Sequence, residues 1–185
     1  MVNKILVTYA TRAGSTQGIA EAIARTLQAQ NFAVTLQAMQ DVHDLSAYDA
    51  VIAGSAIRYD KWLPEATQFV ERHQATLSQK AFAPFVVCLA MASQNPKRRE
   101  KAIVTASNYL SPIRALVPTI SEGLFAGVLD LSKLSLMPRI IFSTVTTLGL
   151  FKEGDYRDWD AIEQWTLDLS SRLVTQAQER YHKAS

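Results

Sequence analysis

Ile5-Leu6-Val7-Thr8-Tyr9-Ala10-Thr11-Arg12-Ala13-Gly14-Ser15-Thr16 is an apolar run that breaks into a hydroxyl-rich turn. Ile5 to Tyr9 reads as a strand. From Ser15 to about Gln30, Ile19, Ala20, Ile23, Ala24 and Leu27 recur on one helical face. Gly14 lets the backbone turn between the two. A strand, a hydroxylated turn and a helix N-terminus together make an anion site, because free amide N–H groups point outward and the helix dipole adds positive charge. Thr11, Ser15 and Thr16 each offer a further donor, with Arg12 nearby and Ala13 completing the turn. The stretch lacks the glycines of G-x-G-x-x-G and the G-K-[ST] ending of a P-loop. An ordinary strand-to-helix turn capped by Ser15 is the alternative; the density of hydroxyls favours phosphate.

Working outward, Phe32 to Leu36 reads as a second strand and Met39 to Ala47 as a polar connection. Asp49 to Gly54 is a third strand, apolar enough to be buried on both faces. It runs into a loop, Gly54-Ser55-Ala56-Ile57-Arg58-Tyr59, and Pro64 then suits the first turn of a helix reaching about Gln74. Phe82 to Ala92 is the fourth strand, followed by the polar loop Ser93-Gln94-Asn95-Pro96. Asn95 caps the next helix, which opens on Lys97-Arg98-Arg99 and reaches about Leu110. A fifth strand lies within Ala115 to Val128. In the last helix, capped by Asp158, Trp159, Ile162, Trp165, Leu169, Leu173 and Ala177 repeat at three- and four-residue steps.

Strand–helix alternation over one domain, residues 1–185, predicts an α/β fold: a parallel sheet of order 2-1-3-4-5 with helices on both faces. In such sheets ligands bind beyond the carboxyl ends of the strands, at the switch between strands 1 and 3. The polar loops after strands 1, 3 and 4 therefore meet at one rim. Tyr59 and Trp62 supply aromatic surface there, and Ala90, Met91, Ala92 and Ser93 form the opposite side. One phosphate and one planar ring fit that arrangement, as in flavin mononucleotide (FMN). A phosphorylated sugar would use the first loop equally well. A phosphate-accepting receiver domain would need acidic residues at the strand ends, where this chain has Tyr9, Ala10 and Gly54.

Composition narrows the classes. The chain has 185 residues, 48% of them hydrophobic, and a formal charge of +2, too small to argue for nucleic acid. The single cysteine, Cys88, lies in an apolar run and reads as a buried, inert thiol. His43, His73 and His182 show no metal-ligand spacing, so no metal is expected. Lys4 interrupts the N-terminal apolar run, which predicts no signal peptide and a cytoplasmic protein.

Val7 to Thr16, followed by Ile19-Ala20, resembles the flavodoxin signature. Gly54-Ser55-Ala56-Ile57-Arg58-Tyr59 is similar to the G-A-S-I-R-Y loop of the menaquinone-dependent protoporphyrinogen IX dehydrogenases, and Tyr156-Arg157-Asp158-Trp159 to their Y-T-D-W. The resemblance implies a flavodoxin-like fold with a helical insertion late in the chain. It implies FMN held by Thr11, Arg12, Ala13, Gly14, Ser15, Thr16, Ser55, Ala56, Ile57, Arg58, Tyr59, Ala90, Met91, Ala92 and Ser93. It also implies an oxidoreductase passing electrons from a tetrapyrrole substrate to a quinone; an electron carrier without its own substrate is the alternative. No side chain is assigned as a catalytic acid or base. Arg58 and Lys97-Arg98-Arg99 are candidates for substrate carboxylates, or else solvated surface. Leu134, Met137, Ile141, Val145 and Leu148 recur at helical spacing within Leu131 to Leu150. Lys133 and Arg139 disfavour a membrane crossing by that segment. It is expected instead to wall the quinone or substrate site and touch the membrane interface peripherally.

Overall fold

The computed structural model describes residues 4–93, 95–130, 132 and 153–184. Its central strands are β1 (Lys4–Ala10), β3 (Ala50–Arg58) and β5 (Ala81–Val87). They are nearly continuous apolar runs because helices cover both faces of the sheet. β2 (Ala33–Ala38) is the half-exposed edge beside β1, and β6 (Gly123–Phe125) is the short edge beside β5. The order is β2-β1-β3-β5-β6, with all these pairs parallel. This is the expected order once β4 (Lys61–Trp62), a hairpin strand folded back on the end of β3, is set aside.

Alternate strand residues sort into two cores. Leu6, Val51, Ala53, Phe82 and Val86 face α2 (Pro64–Arg72), α4 (Pro96–Asn108) and α5 (Ser111–Leu116), with α3 (Gln74–Leu77) adding Leu77. Ile5, Val7, Ile52 and Phe85 face α1 (Ser15–Ala29) and α6 (Trp159–Ala184). The caps form as expected. Asn95 Oδ1 accepts the Arg98 N–H at 3.2 Å ahead of Pro96, and Asp158 Oδ1 accepts the Ala161 N–H at 3.0 Å.

Three boundaries differ from the sequence reading. Gly54 to Arg58 is strand rather than loop, because β3 keeps pairing with β5 as far as Ala56–Val87 and then with β4. The fourth strand stops at Val87, and Leu89–Ala92 curls into a 3-10 turn in which the Met91 N–H reaches Cys88 O at 3.3 Å. Within Ala115 to Val128 the strand that joins the parallel sheet is confined to β6, since α5 takes up the first residues. The chain then makes β7 (Val128–Leu129), which pairs antiparallel with β8 (Gly154–Asp155). The helix expected within Leu131 to Leu150 falls, apart from Ser132, outside the described residues.

β5 carries the residue on which the sheet closes. The Phe85 ring lies over the backbone of Gly54 on β3, where an added Cβ would fall 1.9 Å from its Cζ. A Cβ on Gly123 of β6 would stand 2.7 Å from the Phe85 Cβ. Phe85 is fully buried and extends the core through Phe125 and Trp165, with ring centroids 5.9 and 6.4 Å away. Gly54→Ala overpacks this site, so urea denaturation should show a loss of about 1–3 kcal/mol.

Candidate functional site

The turn between β1 and α1 is built from backbone and hydroxyls. Gly14 sits at φ +86°, a left-handed conformation that glycine adopts without penalty. Its N–H donates to Thr11 Oγ1 at 3.0 Å, which leaves the Thr11 hydroxyl proton available to an incoming acceptor. Gly14, not Ser15, is the N-cap of α1; no side chain caps this end and no acid lies in the first turn. The Gly18 N–H closes the first helical bond on Gly14 O at 3.1 Å, so the amides before it face outward. Thr16 is fully buried, and its Oγ1 has no hydrogen-bond partner among the described residues. Leaving a buried hydroxyl unpaired costs about 1–3 kcal/mol. A helix N-terminus favours an anion, and one bound here would supply that acceptor.

Arg12 is not free to neutralise that anion. Its guanidinium forms a two-pronged pair with Glu65 of α2, Nη1 to Oε1 and Nη2 to Oε2, the latter at 2.8 Å. The bond to Arg12 holds the Glu65 carboxyl below its usual range and raises Arg12 in turn. Both partners are partly exposed, so the pair adds little stability; its consequence is to tie the turn to α2.

The end of β3 forms the next wall. Tyr59 and Asp60 stand at φ 50° and 58°, the two central positions of the hairpin turn between β3 and β4. Non-glycine residues are uncommon there. The Tyr109 hydroxyl of α4 donates to Asp60 Oδ1 at 2.7 Å and holds the turn. Burial, and then the Asp60 carboxylate, push the Tyr109 phenol up to about 12. Tyr59 is 84% exposed, whereas Trp62 is 5% exposed and packs in the core. The expectation that Trp62 adds aromatic surface at the rim is therefore corrected: β4 turns its ring inward.

One cleft of about 260 Å³ joins these walls. Arg12, Ala13, Ser15, Ala56, Ile57, Arg58, Tyr59 and Ala90 line it, so the loops after β1, β3 and β5 do converge. Thr11, Gly14 and Thr16 complete the turn at its β1 end. Four other anticipated residues lie elsewhere. Ser55 is fully buried; its hydroxyl donates to Ala56 O at 2.8 Å and accepts from the Leu63 N–H at 3.0 Å, which makes it a brace for β3. Met91 and Ala92 line a separate groove with Arg99 and Tyr156 to Asp160, and Ser93 lines neither. The 3-10 turn at Leu89 rotates them away from the cleft.

The sequence reading missed Asp60, Tyr109, Gly127 and Val128 in the cleft wall, and Cys88 among its lining residues. Burial raises the Cys88 thiol, in keeping with an inert side chain. Gly127 sits where an added Cβ would approach Ser15 Oγ to 3.4 Å. No local pattern marks these contacts, because they join segments distant in sequence. Among the described residues, no helix is long and apolar enough to cross a membrane.

Residues 6–152 match the family model of the flavodoxin domain. Flavodoxin domains bind FMN. Among solved structures, the chain is similar to a flavodoxin from the domain Archaea at 18% identity and TM-score 0.56, over 92% of this chain and 98% of that one. A flavodoxin from Streptococcus pneumoniae TIGR4 aligns at 14% identity and TM-score 0.53, over 94% of this chain and 99% of that one. The rubredoxin oxygen:oxidoreductase of the anaerobe Desulfovibrio gigas aligns at 13% identity and TM-score 0.56, over 95% of this chain but 37% of that one. At these identities the solved structures establish the fold. No curated protein matches the chain.

Two outcomes test the site. Thr16→Val removes the unpaired hydroxyl at nearly constant volume. Calorimetry of the protein without flavin should show a gain of about 1 kcal/mol, and a fluorescence titration should show FMN binding weakened about tenfold or more. Spectrophotometric titration should also find one tyrosine ionising near 12 that Tyr109→Phe abolishes. Because that pKa is raised on folding, its stabilisation is complete below the ordinary tyrosine value. It is lost as pH rises through about 12.

Proposed function

The chain belongs to the flavodoxin domain family, and from that premise we propose that it is an FMN flavoprotein that takes electrons from a reduced, anionic tetrapyrrole and passes them to a quinone. The observation that carries the FMN reading is the buried, unpaired Thr16 hydroxyl at the start of α1, beside outward amides and the available proton of Thr11. That donor set is neutral and suits one phosphate. It meets walls at Ala56 to Tyr59 and at Ala90 that leave room for a flat ring.

FMN, when bound, supplies the redox chemistry. The chain's own residues bind and orient. Thr11, Ser15 and Thr16 hold the phosphate end. The Tyr59–Asp60 turn, held by Tyr109, sets the wall beside the ring. Arg58 lines the cleft with no ion-pair partner among the described residues, which suits it to a substrate carboxylate. The tetrapyrrole and quinone assignment rests on the resemblance of Gly54 to Tyr59 and of Tyr156 to Trp159 to the protoporphyrinogen dehydrogenase motifs. A quinone would arrive from a membrane surface, and residues 131–150 are the segment proposed to meet it.

Protein purified with FMN should show a flavin spectrum and reduce a menaquinone analogue when protoporphyrinogen IX is the donor. Arg58→Gln should raise KM for that donor about tenfold or more while leaving FMN affinity unchanged. Absence of a flavin band would sink the FMN reading. A flavin band without tetrapyrrole turnover would leave an electron carrier.

A further inference from the structure

Gly18 stands in the first turn of α1, although glycine is a poor helix former, less favourable than alanine by about 1 kcal/mol in a helix interior. The cause lies across the chain. A Cβ on Gly18 would fall 2.5 Å from Nη1 of Arg157. Arg157 lies between β8 and α6. Its guanidinium is held from three sides. Nε reaches Asp155 Oδ1 at 2.9 Å and Oδ2 at 3.1 Å, and Nη2 also meets Oδ2. The Trp159 ring lies 4.4 Å from Cζ. The open face of Gly18 receives Nη1. The side chain is 19% exposed, and Arg157 holds the Asp155 carboxyl below its usual range.

This placement runs against the helix dipole. A cation near a helix N-terminus is disfavoured, whereas an anion there is favoured. Arg12, the arginine within the turn, is committed to Glu65. Arg157 is thus a second guanidinium brought to the first turn of α1, and a helix glycine makes room for it. The same hairpin presses its other strand on the turn: Gly127, just before β7, lies close to Ser15, and the Tyr156 N–H donates to Gly127 O at 3.1 Å.

We infer that Arg157 is a positioning residue for the phosphate site, packed through Gly18 on the first turn of α1 so that the Thr11–Thr16 turn is held in its anion-binding form. The inference rests on the FMN reading above. It makes Gly18 and Arg157 one unit. Alanine at Gly18 displaces the flexible guanidinium tip while favouring the helix, so Gly18→Ala should resemble Arg157→Thr in binding although it stabilises the helix.

The test is a comparison of FMN with riboflavin, which lacks the phosphate, by fluorescence titration of wild type, Arg157→Thr, Arg157→Lys, Gly18→Ala and the double variant Gly18→Ala/Arg157→Thr. FMN affinity should fall about tenfold in Arg157→Thr and in Gly18→Ala. The double variant should be no weaker than Arg157→Thr, riboflavin affinity should stay within about twofold throughout, and Arg157→Lys should recover part of the loss. Circular dichroism and melting temperature identify any variant that fails to fold, and Gly18→Ala then carries the test alone. Equal losses for FMN and riboflavin, or FMN affinity unchanged beside a lowered melting temperature, would overturn the inference while leaving the FMN reading intact. Failure of the wild type to bind FMN would overturn both.

Discussion

The Phe85 ring has to be accommodated between two backbones, and much of the molecule follows from that. Its neighbours on either side are glycines, Gly54 on β3 and Gly123 on β6, each too close to carry a Cβ. The contact pins the β3–β5–β6 register, because sliding either strand by one residue would drive a side chain into the ring and exchange its two faces. Phe85 also meets Phe125 and Trp165, whose rings are themselves in edge contact at 5.4 Å. The Trp165 indole N–H donates to Ser121 Oγ at 3.0 Å, so one aromatic cluster joins the sheet to α6.

With that register set, the ends of β1, β3 and β5 reach one level, and the cleft is a consequence of their alignment. What lines it is economical in charge. Both arginines beside the first turn are paired with carboxylates, Arg12 with Glu65 and Arg157 with Asp155. Such partly exposed pairs contribute little net stability. They hold the turn to α2 on one side and to the β7–β8 hairpin on the other. The turn between them carries amides, two threonines and a serine, donors that need no counter-charge. The cost is borne as local imperfection: an unpaired Thr16 hydroxyl, a glycine in a helix, and two left-handed residues at Tyr59 and Asp60. Features of this kind persist where the surrounding structure holds them in place, and of these Tyr59 and Asp60 line the cleft itself.

The alternation of apolar runs and helical stripes was enough to state the sheet order, because a strand buried on both faces and a helix buried on one have different residue periods. The β1–α1 turn was legible for the same reason: strand end, glycine, hydroxyls and helix start are contiguous. The caps at Asn95 and Asp158 are equally local. Short-range patterns carry this information because the hydrogen bonds and torsions involved span only a few residues.

Other features depend on contacts between distant segments, and these only the tertiary structure decided. Gly54 looks like the start of a loop until Phe85 is seen to occupy the place of its side chain. Ser55 looks like a cofactor donor until Leu63 is found using its oxygen. Trp62 is turned inward by a two-residue strand, and Tyr109 reaches the cleft through Asp60. Arg12 reads as a cation beside the turn until Glu65 is found paired with it, and nothing in the sequence brings Arg157 to Gly18. The sequence by itself determined the main strands and helices, their order and the strand–turn–helix geometry at Thr11 to Thr16. Which side chains are free to act at that turn was decided by long-range packing, since a donor or a charge is available only where no distant partner has already been folded against it.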